Sequence, residues 1–189
     1  MTDTKLHICH LTSAHPDGDV RIFHKQCVSL AAAGYKVSLI IPNTKSRNEK
    51  GVFISSFKCS YKSRKDRMTI TVKKVLKEAL KLDANIYHIH DPELLTAGYL
   101  LRLRGKKVIY DIHEDLPRQI FGKAYLRPYL RAPISFFIER LENFFASRMS
   151  ALVCATPSIE SRFKAINKKT ICVQNFPILG ELDRKIDWS

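Results

Sequence analysis

Glycine, paired cysteine motifs and long apolar runs are all scarce in this sequence. Only 7 of its 189 residues are glycine. Neither GxGxxG after the first apolar run nor GxxxxGK[ST] occurs anywhere, so the dinucleotide and Walker-type phosphate readings lose their main support. The five cysteines, Cys9, Cys27, Cys59, Cys154 and Cys172, are odd in number, widely spaced and never form CxxC. That pattern argues for reduced thiols in a cytosolic domain and against a disulfide framework. No apolar stretch approaches the ~18 residues of a membrane-spanning helix. Met1–Ile8 is too short for a signal peptide. The expectation is a cytoplasmic protein that neither spans a membrane nor is exported. Internal repeats and low-complexity segments are also missing.

Acidic residues are few relative to basic ones. Lys and Arg number 32 against 18 Asp and Glu, a formal net charge of +14. Such a field favours anionic partners: nucleic acid, acidic lipid or phosphorylated small molecules. With no helix-turn-helix, RNP-type or zinc pattern in support, no nucleic-acid partner is expected. The hydrophobic share is 45%, and at this length the chain is enough for one well-packed domain.

Short apolar runs alternate with helix-period segments. Leu6–Leu11, Lys36–Ile41, Val52–Phe57, Ile86–Ile89, Val108–Ile112, Ala151–Ala155 and Ile171–Gln174 read as strands. A helix after Asp19 places Phe23, Cys27, Leu30 and Ala31 on one face and stops at Gly34. After a polar basic loop, Lys58–Arg67, a second helix, Met68–Leu82, carries a stripe of Met68, Val72, Val75, Leu76, Ala79 and Leu80. Asp91-Pro92 reads as a helix start with a capping side chain, and that helix closes near Gly105. A proline-interrupted stretch, Pro117–Pro133, leads into a helix ending near Arg148, and Thr156-Pro157 caps another. This alternation predicts an α/β fold: a Rossmann-like three-layer sandwich with a mostly parallel sheet. Residues 1–177 form the domain and residues 178–189 begin a linker or tail.

In such sheets ligands bind beyond the C-terminal strand ends, and here those ends are unusually polar. Thr12 to Arg21 follows the first strand, His88 to Glu93 the fourth and Asp111 to Asp115 the fifth, with Thr156-Pro157-Ser158 after the sixth. Asp17, Gly18, Asp19 and Arg21 form a loop that can bring a helix N-terminus and a guanidinium to an anion; an ordinary capped helix with a surface arginine fits the same residues. His88 and His90, two apart on a strand, share a side. With Asp91, His113 and Glu114 they can be drawn as a metal site. Asp91 is better explained as the cap before Pro92, and His88 as a packed core histidine, so no metal is expected. His113 is the leading candidate, because an imidazole past a buried strand can take a proton or bond a sugar hydroxyl or phosphate oxygen.

Several segments together resemble the group 4 retaining glycosyltransferases of GT-B architecture. They are Asp19-Val20-Arg21-Ile22-Phe23 through Gly34-Tyr35-Lys36-Val37, His88-Ile89-His90-Asp91-Pro92-Glu93-Leu94-Leu95, and Val108-Ile109-Tyr110-Asp111-Ile112-His113-Glu114. Glu139–Ala155 leading into Thr156-Pro157 and Val173-Gln174-Asn175-Phe176-Pro177 complete the set in order. The resemblance implies the N-terminal, acceptor-side lobe of such an enzyme, with His113 as the catalytic histidine facing the reaction centre. Substrate contacts would come from Asp17, Gly18, Asp19, Arg21, His90, Asp91, Glu114 and Thr156. The 17–21 loop departs from the family's Gly-Gly pair.

The resemblance also implies a nucleotide-sugar donor, a sugar, polysaccharide or lipid-linked acceptor, and neither metal nor cofactor. A donor-binding lobe would lie beyond Ser189 or come from a partner chain, and without it no turnover is expected. The segment 118–131 mixes cations with aromatics and suits an anionic membrane surface, which predicts peripheral association with the cytoplasmic face. The alternative function is a non-catalytic scaffold subunit of the same fold that recruits a catalytic partner.

Overall fold

The computed structural model describes residues 5–60, 63 and 66–177. The assignment of 178–189 as linker, and part of the 58–67 loop, lie outside the described residues. Eight strands form one sheet: β1 (His7–Leu11), β2 (Lys36–Pro42), β3 (Arg47–Glu49), β4 (Val52–Phe57), β5 (Ile86–Ile89), β6 (Lys107–Ile112), β7 (Ala151–Cys154) and β8 (Thr170–Cys172). Their order is β3-β4-β2-β1-β5-β6-β7-β8. Among the described residues only the β3–β4 pair is antiparallel. The chain winds outward from β1 through β2 and β4, then returns to β5 and winds the other way. The loops after β1 and β5 therefore diverge to opposite faces and open a crevice between them, where open α/β sheets bind ligands.

The strands are continuous apolar runs because both faces are covered; all five β1 residues are buried. One face packs under α2 (π-helical Arg67–Thr71 continuing as Val72–Leu82), α3 (Pro92–Leu94 then Leu95–Leu103), α5 (Pro128–Ala146) and α6 (Pro157–Lys164). Val75, Leu101, Leu152 and Phe163 lie at the centre of its core. The short α4 (Leu116–Gln119, then Ile120–Gly122) packs on α5. On the opposite face, α1 (Val20–Cys27 continuing as Val28–Ala32) covers a smaller core of Ile22, Phe23, Cys27, Leu39, Ile41 and Ile54.

Three elements differ from the sequence expectation. Helix α1 is a π-helix, Val20–Cys27, running into the α-helix Val28–Ala32. His24 N donates to Asp19 O and Val28 N to Phe23 O, each spanning five residues. The wider turn buries Arg21, Ile22, Phe23 and Cys27 together and leaves Leu30 and Ala31 half-buried. The π turn opening α2 likewise turns Met68 outward, and Leu80, one step off the Val72, Val75, Ala79 stripe, is exposed too. β3 was not expected; Lys50 (φ 49°) and Gly51 (φ 78°) form the two-residue turn that folds it onto β4.

Helix α5 begins at Pro128, not after Pro133, and contains Pro133 in its second turn. The proline lacks the N–H that would bond the Tyr129 carbonyl, and Tyr129 is exposed, where water can take that place. Gly34 ends α1 as expected, with φ +93°.

Candidate functional site

Alternation along β6 turns Val108, Tyr110 and Ile112 into the larger core and Ile109 and Asp111 toward the α1 face. A carboxylate there needs donors, and five surround it. Arg21 grips it bidentately, Nη2 to Oδ1 at 2.8 Å and Nε to Oδ2 at 3.2 Å. Gln26 Nε2 donates to Oδ2 at 2.6 Å. His113 Nε2 and His90 Nδ1 approach the same oxygen at 3.1 and 3.4 Å. The Asp111 side chain is wholly buried. Burial pushes its carboxyl up, yet the hydrogen bonds from His113, His90 and Arg21 outweigh burial and hold it well below the ordinary range.

An ionised carboxylate only accepts, and this sets the histidine tautomers. His113 donates from Nε2, so its neutral ring keeps a lone pair on Nδ1. His90 donates from Nδ1, so its Nε2 accepts from His10 Nδ1 at 2.9 Å. His10 and His88 are partners in the β1–β5 register, and His90 lies two residues on. Their three rings sit with centroids 4.8 to 5.2 Å apart. Burial lowers all three pKa values: His10 well below 6.5, His88 to about 3 and His90 to about 4. A neutral histidine cluster thus underlies the site, with the Asp111–Arg21 ion pair beside it.

Asp91 does not cap the helix that follows it. Its Oδ2 instead accepts from Thr12 Oγ1 (2.8 Å), Ser13 N (2.6 Å), Ser13 Oγ (3.2 Å) and Ala14 N (3.3 Å). The carboxylate at the end of β5 holds the loop leaving β1, across the crevice. The cap expectation failed because this oxygen bonds groups of the loop after β1, distant in sequence, and makes no cap bond to the helix. His15 Nε2 lies 3.4 Å from Asp91 Oδ1, and His15 Nδ1 lies 3.1 Å from Asp19 Oδ2. Asp19 Oδ1 accepts from Ile22 N at 2.8 Å and so caps α1.

Above this network lies an open cavity of about 590 Å³. Six of the nine candidate residues line it: Gly18, Asp19, Arg21, His113, Glu114 and Thr156. Pro16, Val20, Ala155 and Asn175 complete its lining. Gly18 has φ +79°, a backbone that disfavours any side chain there. Thr156 Oγ1 accepts from Ile159 N and caps α6, as expected. His90 and Asp91 lie buried beside the cavity. Asp17 points away, paired with Arg47 and Thr44. Arg21 is committed to Asp111 and, through Nη1, to Val173 O at 2.9 Å; its charge is neutralised within the protein. Lys25 Nζ bonds Phe176 O at 2.7 Å, so α1 also fixes the segment after β8.

Sequence reasoning singled out neither Asp111 nor His10. Among the described residues two sets of side chains come close enough to share a cation: His10, His88 and His90, and His90, Asp111 and His113, each with ligand atoms within 4.8 Å. In the second set the atoms already bond one another, Arg21 and Gln26. In the first, His10 Nε2 and His88 Nε2 are buried without a protein partner among the described residues.

The model for Glycosyltransferase Family 4 matches residues 16–175. No curated protein matches the chain. Among solved structures, sucrose-phosphate synthase from Thermosynechococcus elongatus superposes with a TM-score of 0.68 at 15% identity, over 93% of this chain and 49% of that one. Anabaena HepE, solved with UDP and glucose, gives 0.59 at 12% identity, over 93% and 46%. The catalytic domain of starch synthase IV from Arabidopsis thaliana, bound to ADP and acarbose, gives 0.59 at 12%, over 90% and 52%. At these identities the likeness is one of fold, the Rossmann-like lobe of GT-B proteins. The chain spans about half the length of these solved proteins.

Proposed function

The chain belongs to glycosyltransferase family 4, and on that premise we propose that it is the acceptor-side lobe of a retaining glycosyltransferase. The enzyme would move a sugar from a nucleotide-sugar to a lipid-linked or polysaccharide acceptor. The observation that carries this reading is His113, whose Nε2 is tied to ionised Asp111 while its ring borders the cavity at the switch point. Its Nδ1 lone pair can accept a hydrogen bond from an acceptor or donor hydroxyl. The charge that Asp111 presents behind the ring favours that tautomer and steadies the ring if a proton arrives.

Glu114 and Thr156 offer further oxygens at the rim, and Asp19 with Gly18 offers a close backbone approach. The loop from Asp17 to Arg21 holds no free guanidinium, since Arg21 is spent on Asp111. The diphosphate of the donor must therefore be held mainly by a second lobe, in the same polypeptide or in a partner chain. Turnover by the 189-residue chain alone is not expected. The basic excess and the exposed aromatics Phe121, Tyr125 and Tyr129 support attachment to an anionic membrane surface at the cytoplasmic face.

The test is sugar transfer from a panel of nucleotide-sugars, with this lobe joined to or mixed with a donor-binding lobe. His113→Ala is expected to lower kcat at least about a hundredfold with nucleotide-sugar binding retained. An unchanged kcat contradicts the assignment.

A further inference from the structure

The cavity that His113 borders is poor in hydrogen-bond donors and in uncommitted cations. Two carboxylates line it, Asp19 and Glu114, with one guanidinium, Arg21, which is paired with Asp111. Burial pushes the Asp19 carboxyl up, but the bonds from Ile22 N and His15 outweigh burial and hold the group below the ordinary range. It is therefore ionised at neutral pH. A third carboxylate, Asp91, lies buried beside the cavity, with His15 between it and Asp19. Cations on the flanking segments are engaged elsewhere: Arg47 with Asp17, Arg162 with Asp115 and Glu142, and Lys25 Nζ with Phe176 O.

The usual seats for a phosphate are also closed. Two helices start at the cavity edge, α1 after Asp19 and α6 after Thr156. A helix N-terminus binds phosphate through backbone N–H groups that have no partner in the helix. Here Asp19 Oδ1 takes Ile22 N, Thr156 Oγ1 takes Ile159 N, and Pro157 has no N–H to offer. The lining that remains is rich in acceptors: the Asp19 and Glu114 oxygens and the His113 Nδ1 lone pair. The Thr156 hydroxyl, whose O–H can still donate, and the Asn175 amide add a few donors.

We propose that the moiety seated in this cavity is an uncharged sugar ring, bearing hydroxyls and neither phosphate nor carboxylate, and that Asp19 and Glu114 exclude anionic acceptors. The proposal rests on the acceptor-side reading above and narrows it to a substrate class. Each sugar hydroxyl brings a proton for one of these acceptors; a phosphate brings chiefly acceptors and meets like charge. The formal net charge of +14 does not reverse the choice. At physiological salt a surface charge is screened beyond ~8 Å, whereas two lining carboxylates act on a phosphate in the cavity from within that distance. Reaction order follows from this. A lipid-borne acceptor must arrive with a neutral sugar already between its phosphate and the reacting hydroxyl, so an earlier glycosyl transfer supplies it.

The experiment titrates the 189-residue chain, labelled on His rings and Thr methyls, with the methyl glycosides of glucose, galactose and mannose. Glucose 6-phosphate and glucuronate are the anionic arms. At low ionic strength at least one neutral glycoside is expected to give saturable shifts at His113 and Thr156, and both anions should bind at least about tenfold more weakly. Asp19→Asn with Glu114→Gln removes both charges and keeps the cap, since Asn caps a helix as Asp does. The double variant should bind glucose 6-phosphate about tenfold more tightly and the neutral glycoside within about threefold of the unmodified chain. Salt near 1 M should narrow the gap in the unmodified chain.

Glucose 6-phosphate that moves His113 and Thr156 as readily as the neutral glycosides overturns the proposal and leaves the acceptor-side reading standing. A double variant that still rejects the anions overturns the role given to Asp19 and Glu114. Cavity signals that no sugar moves overturn both the proposal and the seat of the acceptor in this lobe. The effect of His113→Ala on transfer decides the acceptor-side reading separately.

Discussion

Helix α1 lies over two stretches of one sheet face with opposite chemistry. Over β2 and β4 it meets Leu39, Ile41 and Ile54, and contributes Ile22, Phe23 and Cys27. Toward β5 and β6 it meets His90 and Asp111, and contributes Arg21 and Gln26. The π turn makes this possible, since it turns Arg21, Ile22 and Phe23 inward in succession where an α-helix would expose one of them. The apolar side stabilises the fold by removing carbon from water. The polar side gains less, because a buried ion pair is often no more stabilising than a well-packed apolar replacement. It holds a carboxylate ionised behind His113, beside the cavity.

The two sides should respond differently to truncation. Asp111→Ala leaves the Arg21 charge buried and unpaired, and is expected to cost ~3–5 kcal/mol in chemical denaturation. Ile54→Ala on the apolar side should cost ~2–5 kcal/mol through a cavity. The distinction lies in rescue. Adding Arg21→Met to Asp111→Ala should restore much of the loss, whereas no second change in the polar cluster should rescue Ile54→Ala. Equal behaviour of the two would dissolve the contrast.

The polar side should also make stability depend on pH. His10, His88 and His90 have pKa values depressed by burial, so the folded state binds fewer protons than the unfolded chain below about pH 6.5. Their contribution is present above that pH. It is lost as pH falls toward the folded values, about 4 for His90 and about 3 for His88. The slope is up to ~1.4 kcal/mol per pH unit per histidine. Denaturation midpoints between pH 7 and 4 should fall steeply, and His88→Gln should flatten the curve by about one proton.

Smaller effects are expected away from the network. Asp19→Ala removes the cap of α1 and should cost ~1 kcal/mol in the same denaturation assay. Arg47→Ala breaks a half-exposed pair with Asp17 and should leave the denaturation midpoint nearly unchanged, because solvent screens such pairs. A loss of several kcal/mol there would mean that the 17–21 loop is held from outside the cavity, not by Asp19 and Asp91.

The fold was legible where apolar runs and local caps decide it. Ile86–Ile89, Val52–Phe57 and the Thr156 cap fall where the sequence places them. β3 was not legible, because Arg47–Glu49 is three polar residues with no alternation, paired only through the Lys50-Gly51 turn. The 3.6-residue stripe misread α1 because nothing local announces a π turn. At the site, His113, Glu114 and Thr156 could be found from their places past strand ends. Asp111 could not be separated from its strand, since its importance comes from Arg21 and Gln26, more than eighty positions away. His10 became visible only through its register with His88. Asp91 was misassigned for the same reason: its donors are Thr12 to Ala14, and a proline next door offered a simpler local story.

The central claim is that ionised Asp111 fixes the ring orientation and tautomer of His113 at the cavity and of neutral His90 beside it. Nitrogen-15 spectra of the imidazole rings test it directly on the 189-residue chain at neutral pH. The account predicts His113 with its proton on Nε2 in its neutral form, and His90 neutral with its proton on Nδ1 and no titration until well below pH 6. Asp111→Asn should redistribute both tautomers. A His90 ring that titrates near 6.5, or tautomers indifferent to Asp111→Asn, would contradict the account.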